Sequence, residues 1–151
     1  MSTVAKTKFL TETAKTVVNR NASTITKDRL ITTGTPVGSE LACDGCNTGG
    51  GVGAVLGAIQ EDIEAGKSGT AYGPGSIVQL ESDGSGTIAY GANLIVVAGA
   101  SLAASGRVKT LPGSTGTYYL VGRSVSPSTI AATAGLKVLV ELCHPTPVYV
   151  A

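Results

Sequence analysis

The residues best suited to chemistry are Cys43, Cys46, Cys143 and His144. Cys43-Asp44-Gly45-Cys46 has the two-residue spacing of a metal knuckle or a redox turn, and Cys143-His144 lies far downstream. Together they offer three thiolates and one imidazole, a donor set that suits tetrahedral zinc. Adjacent residues on a strand point to opposite faces, so Cys143 and His144 converge only if their strand ends at Pro145. The competing reading is a buried Cys143, an exposed His144 and a loop pair of thiols. It predicts no cofactor, with zinc at these four residues as the alternative. A dithiol redox site is disfavoured because no βαβ pattern surrounds the motif.

Other chemistry finds little support. Gly66-Lys67-Ser68 resembles the end of a phosphate-binding loop, but position 61 is Glu where that loop needs Gly. Glu61, Asp62 and Glu64 would crowd any phosphate, so the segment reads as a turn. Gly51-Val52-Gly53 followed by Gly57 lacks the dinucleotide-binding spacing. With a single His, no nucleophile–base–acid triad can be assembled. The chain is expected not to be an enzyme.

The elements around these residues read as strands and turns. Leu136, Val138, Val140 and Leu142 fall on one face of a run whose other face carries Lys137 and Glu141, as a half-buried strand requires. Ile77-Leu80, Leu94-Val97, Arg107-Leu111, Tyr118-Val125, Val148-Val150 and Val52-Ile59 read likewise, with one further strand near Ala14-Val18. Glu61–Gly66 reads as an acidic turn, with room for one helical turn. Glycine-bearing turns lie between the strands at Gly73-Pro74-Gly75, Asp83-Gly84-Ser85-Gly86 and Pro112–Gly116. This spacing predicts an all-β fold, a small β-barrel or β-sandwich with an extended N-terminal arm. The arm is drawn over residues 1–35 and the barrel or sandwich domain over 36–151. An internal echo is also present. Leu56-Gly57-Ala58-Ile59, a turn and Ala65-Gly66 match Val121-Gly122-Arg123-Ser124-Val125, a loop and Ala134-Gly135, which fits a pseudo-symmetric module.

Composition limits the partners. The 151 residues hold no Trp, one Phe and five Tyr, so the core must be built from small aliphatics. Charged residues are only 14%, which implies a surface partly covered by neighbouring subunits or a larger partner. Charge is uneven. Through Ile31, Lys6, Lys8, Lys15, Arg20, Lys27 and Arg29 face Glu12 and Asp28, for net +4, while the remainder sets five basic residues against eight acidic ones, for net −3. With only Phe9 as an aromatic, the basic front end is a weak nucleic-acid signal, and no nucleic-acid partner is expected. The apolar run from Leu94 to Ala104 is broken by Gly99 and Ser101 and falls short of the ~20 residues a membrane helix needs, so no membrane partner is expected either. Met1–Lys8 lacks the apolar core of a signal peptide, so the expected site of synthesis is a cytosol that keeps the thiols reduced.

Across residues 52–142 the chain resembles the capsid decoration, or cement, proteins of tailed bacteriophages. The resemblance rests on Val55–Thr70, Ala98-Gly99-Ala100-Ser101-Leu102, Gly106-Arg107-Val108, Tyr119–Val125 and Ala134–Val140. It implies a non-enzymatic virion protein, made in the host cytoplasm, that docks on the outside of the expanded head. There it would bridge major capsid subunits against internal DNA pressure, commonly as a homotrimer. Lys8, Lys15 and Arg20 of the basic arm are the candidate capsid-binding residues, meeting an acidic capsid surface. The alternative is a virion-surface β-sandwich adhesion or carbohydrate-binding module, for which only Tyr72, Tyr90, Tyr118, Tyr119 and Tyr149 offer ring-stacking faces.

Overall fold

A computed structural model describes residues 14–35, 38–46, 55–99, 101–102 and 104–151. Among these there are ten strands and no helix. The fold is all-β, as the strand-and-turn pattern predicts. β1 (Ala14–Asn19), β2 (Arg29–Thr33), β3 (Ala42–Gly45), β4 (Val55–Ile59) and β5 (Ser68–Tyr72) form a closed barrel in the order β1-β3-β2-β4-β5. β6 (Ile77–Glu81), β7 (Asn93–Val97), β8 (Arg107–Thr110), β9 (Gly116–Ser124) and β10 (Lys137–Val150) form a second sheet in the order β6-β10-β9-β7-β8. Its two edge strands meet at a single parallel bridge, Ser82 to Val108.

The two units are the same unit wired twice. Taken around the ring, the second sheet repeats the strand order of the barrel, down to the parallel contact between first and third strands. The irregular parts repeat as well. Ile25 bridges Ile63 in the barrel, and Ile88 bridges Ile130 in the second unit. The Asn19 N–H donates to Lys67 O and its carbonyl accepts from Gly66; Ser82 does the same with Leu136 and Gly135. Gly66 and Gly135 both sit at positive φ, 74° and 85°. One residue is skipped in register after Ile31/Gly57 in β2–β4 and after Leu94/Gly122 in β7–β9. The Leu56-Gly57 and Val121-Gly122 echo thus marks two equivalent bulges. A Cβ on Gly57 would stand 2.4 Å from Tyr72 O, and one on Gly122 2.5 Å from Glu141 O. Glycine is required there because the neighbouring backbone passes too close for any side chain.

Each unit fills its own interior. Val17, Ile25, Ile31, Cys43, Ile59, Ile63 and Ala71 form the barrel core. Leu80, Ile88, Leu94, Val108, Val138 and Val140 fill the second unit, and this cluster continues onto Leu30, Cys46 and Ala58 of the barrel. β2 is therefore buried on both faces, with Ile31 turned inward and Leu30 turned onto the second unit. Each such side chain contributes roughly 1.5–3 kcal/mol of burial free energy.

Three sequence expectations change. The arm drawn over residues 1–35 does not hold beyond residue 13, because Ala14–Asn19 and Arg29–Thr33 are barrel strands. Val17, Leu30 and Ile31 are buried. Residues 1–13 lie outside the described residues. The acidic turn has no helix; Asp62 accepts the Lys27 N–H at 2.8 Å, Glu61 accepts the Thr70 N–H at 3.0 Å, and Ile63 enters the core. Pro145 does not end its strand, since β10 runs on to Val150. Beyond Leu142, which still bonds Gly75 and Ser76, only the β9 edge of β10 is paired among the described residues, so a residue without an N–H is tolerated.

Candidate functional site

The four sulfur and imidazole donors are not brought together. Cys43 is buried in the barrel core and Cys46 in the other cluster, so the two thiols of the knuckle serve different interiors. Cys143 and His144 are exposed. Burial, with Asp44 nearby, pushes the Cys43 thiol up to about 11 and the Cys46 thiol up to about 12. Both remain protonated at neutral pH, and the Cys46 Sγ lies 3.3 Å from Leu30 O as a donor. Among the described residues no group of three or more His, Cys, Asp and Glu is placed to hold a metal ion. The repeat supplies the reason. The Arg20 N–H donates to Cys43 O as the Asp83 N–H donates to Val108 O, so Cys43 occupies the position that Val108 fills in the second unit. It is a small core residue.

Of the three candidate docking cations, two lie among the described residues. Lys8 lies outside the described residues. Lys15 is exposed on β1. Arg20 is exposed just after β1 and pairs with Glu40, a surface contact of small net worth. Arg29, counted in the basic front end, is buried and faces inward to the junction of the two units.

That junction holds a charge cluster that the sequence did not reveal. Arg29 Nη2 lies 2.6 Å from Glu81 Oε2, and Arg107 Nε lies 3.2 Å from the same oxygen. Lys137 Nζ lies 2.8 Å from Glu81 Oε1 and 2.8 Å from Asp28 Oδ2. Arg29 also donates to Ser105 O at 3.2 Å. Two backbone bonds run beside it, Leu30 N–H to Gly106 O and Glu81 N–H to Asp28 O. Asp28 adopts φ 60°, the only non-glycine residue at positive φ among the described residues, at the site where the second unit has Gly91 at φ 78°. The equivalence follows from Asp28 N–H to Ile59 O and Gly91 N–H to Ser124 O. Burial alone would raise the Glu81 carboxyl, but Lys137, Arg29 and Arg107 outweigh it and hold it below its ordinary value. Burial would lower the Lys137 amine, but Asp28 and Glu81 outweigh it and hold it above. A lysine kept protonated is no nucleophile, and a carboxylate kept ionised is no acid. The cluster clamps the two units together and is unsuited to proton transfer.

The remaining distinctive surface is β9–β10. β7 pairs with β9 only as far as Leu120, and β6 pairs with β10 only between Lys137 and Glu141. From there, among the described residues, Tyr119–Gly116 and Pro147–Val150 pair only with each other, as a two-stranded ribbon. Tyr149, on the ribbon, and Tyr90, in the turn before β7, are the most exposed large apolar side chains among the described residues, at 69% and 71%.

No family model matches the chain, and no curated protein matches it. Among solved structures it is similar in fold to the head fiber gp8.5 N base of bacteriophage phi29. The TM-score is 0.53 at 14% sequence identity, over 87% of this chain and 94% of that one.

Proposed function

We propose that this chain is a non-enzymatic structural protein of a tailed-phage virion that sits on the outer surface of the head. The observation that carries the reading is the likeness, over 87% of the chain, to the base of a phage head fiber. The protein docks on the major capsid protein after synthesis in the host cytoplasm, needs no cofactor, and cements neighbouring capsid subunits as a homotrimer. Many copies, each with a modest interface, add up to large collective stabilisation. A chain with 14% charged residues and two small-residue cores suits a rigid block held between neighbours. Lys8, Lys15 and Arg20 supply the positive face toward the capsid.

A second reading is favoured by the neighbour's description as an N base: the block anchors a projecting structure instead of cementing capsomers. The carbohydrate-binding alternative rests on exposed Tyr90 and Tyr149.

The test is co-sedimentation with heads lacking this protein, across a salt series. Saturable binding at a fixed ratio to the major capsid protein is expected. Sparse occupancy, at one or a few sites per head, favours the anchoring reading. Absence of binding at every salt concentration, with retention on a glycan array, favours the carbohydrate reading. Charge reversal at Lys8, Lys15 and Arg20 together is expected to lower occupancy most at low salt. Unchanged occupancy removes these residues from the docking face.

A further inference from the structure

We infer that the second unit has a strand-acceptor seam between β6 and β8, and that Asp28-Arg29-Leu30 of the barrel is the strand that fills it and latches that unit shut. This is a property of the chain by itself and does not depend on virion docking. The repeat exposes the seam. Asn19 and Cys43 are matched to Ser82 and Val108, so Val18 is equivalent to Glu81 and Leu41 to Gly106. In the barrel β1 and β3 meet directly. Val18 pairs with Ala42, Asn19 pairs with Cys43, and the Val18 N–H donates to Leu41 O at 2.9 Å. In the second unit only the Ser82–Val108 pair remains among the described residues. The Glu81 N–H donates instead to Asp28 O at 3.1 Å, and Gly106 O accepts from the Leu30 N–H at 2.9 Å. The bond that closes the barrel is thus split in two, with the start of β2 lying between its halves. A strand added to an open sheet edge is held in this way, by main-chain bonds with side chains adding selectivity.

All the inserted residues are committed to the second unit. The Asp28 carboxylate holds Lys137 of β10, and Arg29 holds Glu81 of β6 and Ser105 O ahead of β8. The Leu30 side chain joins the cluster of Leu80, Val108 and Val138. The acceptor is shaped for a backbone. Gly106 sits at φ 74°, and a Cβ there would collide with Leu30 O. Its counterpart in the barrel is Leu41, which is 38% exposed and faces no inserted strand. Across the splayed pair Arg107 reaches Glu81 through side chains, where the barrel's Ala42 and Val18 pair through backbone. Withdrawing the strand would leave the Glu81 N–H and Gly106 O without partners, a cost that opposes release. Opening of the second unit at this seam therefore requires release of β2. The barrel, closed by its own β1–β3 pairs, need not open with it.

Native-state hydrogen exchange of the full chain in sub-denaturing urea tests the latch. The Leu30, Glu81 and Asp83 amides should share one opening, with the same urea dependence, below the opening that frees the Val18 and Arg20 amides. Ile63→Val, in the barrel core, should speed exchange at Val18 and Arg20 several-fold and leave the other three unchanged, because Ile63 stays packed when only the latch opens. Gly106→Ala, which crowds the inserted strand, should cut protection at Leu30, Glu81 and Asp83 at least about tenfold. Should that variant fail to fold, Glu81→Gln, which keeps the shape and removes the charge holding Arg29 and Lys137, should lower protection at the same three amides. Asp83 remaining protected while Leu30 and Glu81 open overturns the proposal, since the seam would then close without the strand. An equal response of all five amides to Ile63→Val also overturns it, by showing that the seam opens only with the whole fold. Protection at Leu30 and Glu81 that neither seam variant lowers overturns it as well.

Discussion

The barrel of β1–β5 and the sheet of β6–β10 share one wiring but are used differently. At the bulge both keep glycine, Gly57 and Gly122, because in each the neighbouring strand's carbonyl occupies the space of a Cβ. At the left-handed position the second unit keeps Gly91, but the barrel carries Asp28. The barrel accepts that backbone cost because the Asp28 carboxylate anchors Lys137 of the other unit. At the inner position of the third strand the second unit has Val108 and the barrel has Cys43. At the end of the fifth strand the barrel stops while the second unit extends into the ribbon. The difference separates what the fold demands in duplicate from what each unit contributes once: the left-handed Asp28 from the barrel, a longer last strand from the sheet.

The largest test removes the clamp. Glu81→Ala leaves Arg29 buried without its carboxylate and should cost about 3–5 kcal/mol in urea unfolding. An effect under about 1 kcal/mol would mean that the units are held by the shared apolar core alone. The clamp also has a pH signature. Glu81 has a depressed folded pKa, so its contribution is present above the ordinary carboxylate value and is lost as pH falls through the depressed one. Lys137 has a raised folded pKa, so its contribution is present below the ordinary lysine value and is lost as pH rises through the raised one. The thermal midpoint should therefore owe nothing to these groups' titration near neutrality, and Glu81→Gln should flatten its acid limb.

Next in size are the paired bulges. Gly57→Ala and Gly122→Ala should each cost about 1–3 kcal/mol by overpacking, and by similar amounts. A tolerated substitution in one unit only would break the equivalence. Gly91→Ala should cost about 1 kcal/mol from the left-handed backbone alone, since no atom lies within 4 Å of the added Cβ. Smallest is Cys43→Val, which installs the sister unit's residue and should change stability by less than about 1.5 kcal/mol without altering metal content. A larger loss, or loss of bound zinc on elemental analysis, would reverse the assignment of Cys43 as a core residue.

Local pattern made several elements legible. β6 to β9 are legible as short apolar runs between glycine turns, and the first half of β10 as period-two alternation, because a half-buried strand shows both faces in its sequence. The bulge echo is visible because close backbone approach admits one residue type. β2 was hidden: Arg29-Leu30-Ile31-Thr32 is buried on both faces, so its alternation is lost and a buried arginine reads as an arm cation. β3 and β5 are too short and too rich in Gly, Ser and Thr to stand out from turns. The clamp draws Asp28, Glu81, Arg107 and Lys137 from four separate stretches, and no spacing announces a pairing made by the third dimension. By itself the sequence determined an all-β chain with small-residue cores and glycine at the points of closest approach, since those depend on side-chain size and period. Only the tertiary structure decided that the front end is a barrel and that its two knuckle thiols face different interiors, because each depends on which distant strands become neighbours.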